Sequence, residues 1–126
     1  MQIYKYNVKG FLQWGYNFYN NQYSDTPINP YLITDCEGSF PAGDAYSVYP
    51  APNGEALESI RIISHHQALT DIKAMKLCES LYSHDEVVSA IESAFGKEIR
   101  FDVCAKSADE MLAVREKVNE MIKTKV

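Results

Sequence analysis

The chain has 126 residues, a length that suits one domain. Hydrophobic residues make up 46% and charged residues 23%, which excludes a disordered chain, and the net charge of −5 argues against a nucleic-acid partner. No apolar run approaches a membrane span, so no membrane role is expected.

Cys36, Cys78 and Cys104 form an odd, widely spaced set with no CxxC pair. Free thiols in a reducing compartment are the expectation. No charged-then-apolar leader opens the chain, so the expected location is cytoplasmic.

In chain order, QIYKYNVKG reads as the end of a helix, with Lys9 in its last turn and Gly10 just past it. FLQWGYN reads as a strand running into a loop. It overlaps WGYNFYNNQY, residues 14–23, where five aromatic rings and four side-chain amides share ten positions. Residues 18–43 make a long irregular connection, of a length that is usually functional when its composition is not that of a linker. AYSVY is the second predicted strand, ended by Pro50, and PAPNG is a turn. A long helix follows from about Leu57 to Leu81. Leu57, Ile60, Ile63, Ile72, Met75 and Cys78 lie along one predicted apolar stripe, and Ile62, Leu69 and Leu77 along a second. Ser83 with Glu86 predicts a capping box for the next helix, which Gly96 ends. Residues 100–103, RFDV, read as a short extended link. Ser107 with Glu110 opens the last helix, which is expected to bury Met111, Val114, Val118, Met121 and Ile122.

The two halves differ. Residues 1–50 hold 12 of the 15 aromatic residues but only 6 of the 29 charged ones, and all five prolines lie between 27 and 52. No flexible linker separates the halves, so the reading is a single unit over 1–126. Two strands with helices between and after them suit a piece of a βα-repeat fold whose sheet is incomplete.

Three stretches, KYNVKGFLQWGYNFYN, DCEGSFPAGDAYSVYPAPNG and ESIRIISHHQALTDIKAMKL, resemble the C-terminal part of the catalytic domain of glycoside hydrolase family 123-like proteins. The matching positions are Trp14, Tyr16 and Asn17; Gly43 and Asp44; Tyr49 and Pro50; Gly54; Ser59 and Arg61; and Asp71. The sequence departs from the pattern at Ile63, where the family has Glu, and at Tyr19, where a second Trp is frequent. The resemblance covers residues 1–82 and implies the last segment of a (β/α)₈ barrel. It would supply about two parallel strands and a long aromatic loop, followed by three helices, with residues 83–126 as a helical tail packed on that segment. A complete barrel takes about 250 residues, so this one would be incomplete.

Because barrel strands point their C-terminal ends at the active site, the resemblance implies substrate contacts for Trp14, Tyr16, Asn17, Tyr19 and Tyr49. The bland readings are core packing for Trp14 and Tyr16, and a buried ring with a satisfied hydroxyl for Tyr49. Asp44, Arg61 and Asp71 are structural support. Arg61 is expected to anchor its helix to Asp44, Asp71 or a backbone carbonyl, and Asp44 to lie at the opposite rim or in a loop contact.

The family resembles N-acetyl-hexosaminidases that use substrate assistance, in which the sugar's acetamido oxygen attacks the anomeric carbon while an Asp–Glu pair polarises it and protonates the leaving group. Asp85–Glu86 and Asp109–Glu110 are Asp–Glu dipeptides, but each sits behind a capping Ser in a first helical turn, where carboxylates serve the cap and the helix dipole. No catalytic residue is therefore assigned. His65 and His66 point about 100° apart on a helix, and His65 has the wrong spacing to share a face with Asp71, so no metal is expected. No phosphate loop or other cofactor signature occurs.

The expected function is a carbohydrate-facing wall for an N-acetylhexosamine-type sugar, without the catalytic pair. A homo-oligomer covering the open sheet edge is the expected assembly. The alternatives are a non-catalytic carbohydrate- or protein-binding module and a purely structural fragment.

Overall fold

The computed structural model describes residues 1–126, in the order α1 (Gln2–Lys5), β1 (Val48–Pro50), β2 (Ala56–Glu58), α2 (Ile60–Leu81), α3 (His84–Phe95) and α4 (Ala108–Lys125). It divides into two compact units, one made of Met1–Phe11 with Ala68–Val126, the other of Leu12–Gln67.

The expected pair of parallel barrel strands is not what forms. β1 and β2 are three residues each and pair antiparallel, with Tyr49 opposite Leu57. The two segments expected to run parallel, residues 11–17 and 45–49, meet only at an antiparallel bridge, Asn17 to Tyr46, because the first turns on itself instead of extending. The strand pair that does form is joined by residues 51–55, far short of the dozen or more residues a parallel crossover needs, and is closed by Ala51 N–H donating to Glu55 O at 2.8 Å. β2 takes residues that helical periodicity had assigned to the start of the long helix. The chain is mostly helical, with this hairpin as its one sheet.

FLQWGYN is not a strand either. Tyr16 N–H donates to Trp14 O, and Tyr19 N–H to Asn17 O, at 3.2 and 3.0 Å. These three-residue turns break the alternation that a strand requires. What remains is one antiparallel bridge, Asn17 to Tyr46. Ser47 and Val48 N–H both converge on Tyr16 O, and Ser47 Oγ donates to Gly15 O at 2.9 Å. The small core of this unit is Ile28, Cys36, Ala45 and Tyr46, flanked by Phe18, Tyr19, Ile33, Phe40 and Tyr49.

In the other unit, α1 ends at Lys5, earlier than predicted. Asn7 takes a positive φ of 52°, with Val8 N–H bonded to Ile3 O and Asn7 N–H to Tyr4 O. This is a Schellman stop with Asn in the left-handed position predicted for Gly10. The Ser83–Glu86 capping box forms in both directions, and Gly96 caps α3 with φ 71°. Ser107 accepts from Glu110 N–H, but Glu110 reaches back to Lys106 N–H, so the second box is half formed. Residues 100–103 turn, with Val103 N–H on Arg100 O, rather than extending.

α3 buries Val87, Ile91 and Phe95 at four-residue spacing against Val114 and Val118 of α4, with Tyr4, Met75, Cys78 and Ile99 completing the core. Met121 and Ile122 pack at its border, while Met111 is exposed. Of the two apolar stripes expected on α2, only Met75 and Cys78 are buried; Ile60 stays 71% and Ile63 51% exposed. No helix is long and apolar enough to cross a membrane.

Glu79 is the electrostatic hub of the helical unit. Lys76 Nζ contacts both of its oxygens, and His84 Nδ1 lies 3.2 Å from Oε2. The Lys76 hydrogen bond comes first among the causes that lower the Glu79 pKa to about 2. A carboxylate depressed below its unfolded value of 4.5 stabilises the fold above that pH, and the contribution disappears as pH falls toward 2. The expectation is that wild type loses more stability than Glu79→Gln between those two values, read as urea midpoints by circular dichroism. Parallel curves would contradict the role assigned to Glu79.

Gly15 sets the second test. A Cβ there would overlap the carbonyl oxygen of Asp44 and the backbone of Ala45. Gly15→Ala should cost about 3 kcal/mol, the range of a forced overpacking with backbone displacement. Urea unfolding followed by emission of Trp14, the single tryptophan, measures it.

Candidate functional site

The sequence-predicted contact residues all fall in the unit Leu12–Gln67. They divide between two ring groups and an exposed stretch of chain. Trp14 belongs to the first group, with Phe18 at 5.6 Å and Phe40 at 4.8 Å between centroids, both rings tilted or edge-on to the indole. Trp14 is nonetheless 46% exposed. Its Nε1–H donates to Asp44 Oδ2 at 2.9 Å. Asp44 thus lies against Trp14, and its backbone carbonyl accepts Gln13 Nε2 at 2.9 Å.

The second group is a line of tyrosines. Tyr19 lies 5.8 Å from Tyr46, Tyr46 5.9 Å from Tyr49, and Tyr49 5.2 Å from Tyr31. Their hydroxyls are engaged. Tyr19 donates to Val48 O, Tyr31 to Pro50 O and Tyr46 to Ile33 O. With the Tyr46 proton given to Ile33, the Cys36 thiol at 3.3 Å is the donor to the phenol oxygen. Burial, the leading cause, pushes both Tyr19 and Tyr46 above the ordinary tyrosine range.

Arg61, at the start of α2, ties this line together. Its Nε donates to Tyr46 O at 2.7 Å and its Nη2 to Tyr49 Oη at 2.8 Å. Of the three anchors considered from sequence, it is the backbone carbonyl that Arg61 takes. Gly43 makes room for it: a Cβ at that φ of 81° would stand 2.7 Å from Arg61 Nη1. Asp71 lies in the other unit, where Arg115 Nη1 donates to its Oδ1 at 2.7 Å.

Tyr16 is 49% exposed, and Asn17 is exposed beside it, with its backbone bridged to Tyr46. The unit therefore offers Trp14, Tyr16 and Asn17 to solvent, and holds Tyr19 and Tyr49 half-buried behind engaged hydroxyls. Phe18, Phe40, Tyr31 and Tyr46 are structural partners that sequence reasoning did not single out. The signal available was only their density within 14–49, because partner identity depends on how the loop 18–43 closes. No group of three or more His, Cys, Asp or Glu side chains is placed to hold a metal.

Residues 1–78, more than half of the chain, match the family model described as glycoside hydrolase 123, catalytic domain. The class is thus a glycoside hydrolase-type catalytic domain, and the chain belongs to the glycoside hydrolase 123 family. The match includes all of the Trp14–Arg61 constellation. Comparison with curated proteins finds no match.

Arg61→Ala removes the donors that satisfy Tyr46 O and Tyr49 Oη, and should destabilise the unit by about 1–3 kcal/mol, the cost of stranding such groups. Arg61→Lys should recover only part of this, since one ammonium does not reproduce the two-nitrogen fork. Urea midpoints from Trp14 emission check both, and full recovery by Lys would refute the fork.

Proposed function

We propose that the unit Leu12–Gln67 serves as a carbohydrate-facing aromatic surface of a glycoside hydrolase 123-type domain. It takes an N-acetylhexosamine-type sugar against Trp14, with Tyr16 and Asn17 beside it. The single observation that carries this reading is a half-exposed indole whose N–H is already held by Asp44. A fixed, flat apolar face flanked by polar groups is the kind of site that small polar-rimmed ligands use. Tyr19 and Tyr49 act from behind in this reading, as packed supports whose hydroxyls are committed to Val48 O and Arg61.

In the same reading, this chain does not supply the Asp–Glu pair of substrate-assisted hydrolysis. Support comes from how its two dipeptides are used. Glu86 accepts from Ser83 N–H and Oγ, and those bonds hold its pKa below the usual carboxylate range. Glu110 accepts from Lys97, the leading cause of its own depression, and from Lys106 N–H. Carboxylates held this firmly in their ionised form are poor proton donors to a leaving group.

Titration with N-acetylgalactosamine and N-acetylglucosamine at millimolar concentration is expected to change Trp14 emission, while the purified chain leaves an aryl N-acetylhexosaminide uncleaved. An emission unchanged by either sugar argues against the sugar surface, and turnover above the buffer rate refutes the missing pair.

A further inference from the structure

We propose that Asp44 has two roles at this surface: Oδ2 fixes the plane of Trp14, and Oδ1 accepts a hydroxyl of the sugar stacked on that ring. The proposal rests on the reading of Trp14 as a sugar-facing ring and assigns the carboxylate beside it a direct contact.

A stacked sugar gains most from a ring whose orientation is set before binding, because ordering a loose side chain on binding subtracts from affinity. Phe18 and Phe40 meet Trp14 at interplanar angles of 61° and 56°, so they brace the indole without covering it as stacked rings would. Packing on these two rings supplies no directional bond to the indole. The Nε1–H is its one polar handle, a donor only, and Asp44 Oδ2 takes it at 2.9 Å.

Asp44 is itself held by backbone on both sides. Its N–H donates to Pro41 O at 3.0 Å, its carbonyl accepts Gln13 Nε2, and the preceding Gly43 donates its N–H to Thr34 O at 2.7 Å. Gly15, lacking a Cβ, lets the strip carrying Trp14 come against the Asp44 carbonyl. The acceptor therefore projects from an anchored turn.

An ionised carboxylate has about four lone-pair sites, and the indole occupies one. The carboxylate meets the indole at its pyrrole edge. A sugar ring resting on the indole face at about 4 Å carries its rim hydroxyls over that edge. A hydroxyl donating to a carboxylate makes a charge-assisted bond, stronger than one to a neutral amide oxygen. Asp44 is then the residue that selects for a sugar with a hydroxyl over that edge.

The test compares wild type with Asp44→Asn, Asp44→Glu and Asp44→Ala. It reads the emission maximum and anisotropy of Trp14, then titrates each protein with N-acetylgalactosamine and N-acetylglucosamine. Asn keeps an acceptor oxygen for the indole and should leave the free-state emission as in wild type, while weakening sugar binding about fivefold to tenfold. Ala removes the clamp and should shift emission to the red with lower anisotropy. Glu displaces the acceptor by one methylene and serves as the second clamp variant if Ala fails to fold; its emission should also move. Clamp variants with wild-type emission and anisotropy overturn the first role. Asn with wild-type affinity overturns the second. A wild-type protein that binds neither sugar overturns the sugar reading and the hydroxyl contact together, whereas the emission of the free variants still decides the clamp independently.

Discussion

The close approach at Gly15 is the constraint on which the aromatic unit depends. Only a residue without a Cβ lets the backbone at 15 lie against the carbonyl of Asp44 and the chain at Ala45. That approach brings Tyr16 O within reach of the N–H groups of Ser47 and Val48, and Gly15 O within reach of Ser47 Oγ. It also sets Trp14 beside Asp44. In a unit with a four-residue buried core, these backbone contacts stand in for an extended sheet. Arg61 then fastens α2 to the same strip through Tyr46 O, and the Tyr49 hydroxyl joins that fork.

The helical unit is built on different physics. Its core is an ordinary apolar one, with four-residue spacing on α3 matched to Val114 and Val118 on α4. Its ends are closed by local chemistry: a Schellman turn at Asn7, a reciprocal box at Ser83 and a left-handed Gly96. Lys5 adds a tie between elements far apart in sequence, donating to Glu92 and to Ile99 O, while Glu92 accepts Ile99 N–H. Membership of the glycoside hydrolase 123 family covers residues 1–78, which include the whole aromatic unit and the beginning of this one.

Local signals were legible where the physics is local. Ser83 and Glu86 are read from their three-residue spacing and Gly96 from its place just past α3, because the cap bonds form within one turn. The motif positions Trp14, Gly43, Asp44 and Arg61 were legible too, though not their pairing. The parallel-strand expectation failed because strand direction is set by how the long connection 18–43 folds, which brings Asn17 to Tyr46 in antiparallel sense, and because the second segment finds its partner across a five-residue link that can only reverse. The predicted strand at 11–17 failed because alternation of apolar and polar residues does not exclude three-residue turns at Tyr16 and Tyr19. The α2 stripes failed for a related reason: periodicity marks faces that are able to be buried, but burial needs a neighbour, and Ile60 and Ile63 face solvent.

The sequence by itself determined both caps of α3, the aromatic and charged halves, and the family, since each depends on residue identity at short or fixed spacing. The tertiary structure alone decided that the hairpin is antiparallel, that Arg61 takes a carbonyl rather than a carboxylate, and that Asp44 meets Trp14. Those outcomes join residues 6 to 30 positions apart, and the closure of an irregular loop selects among their possible partners. Composition and periodicity carry no record of that closure.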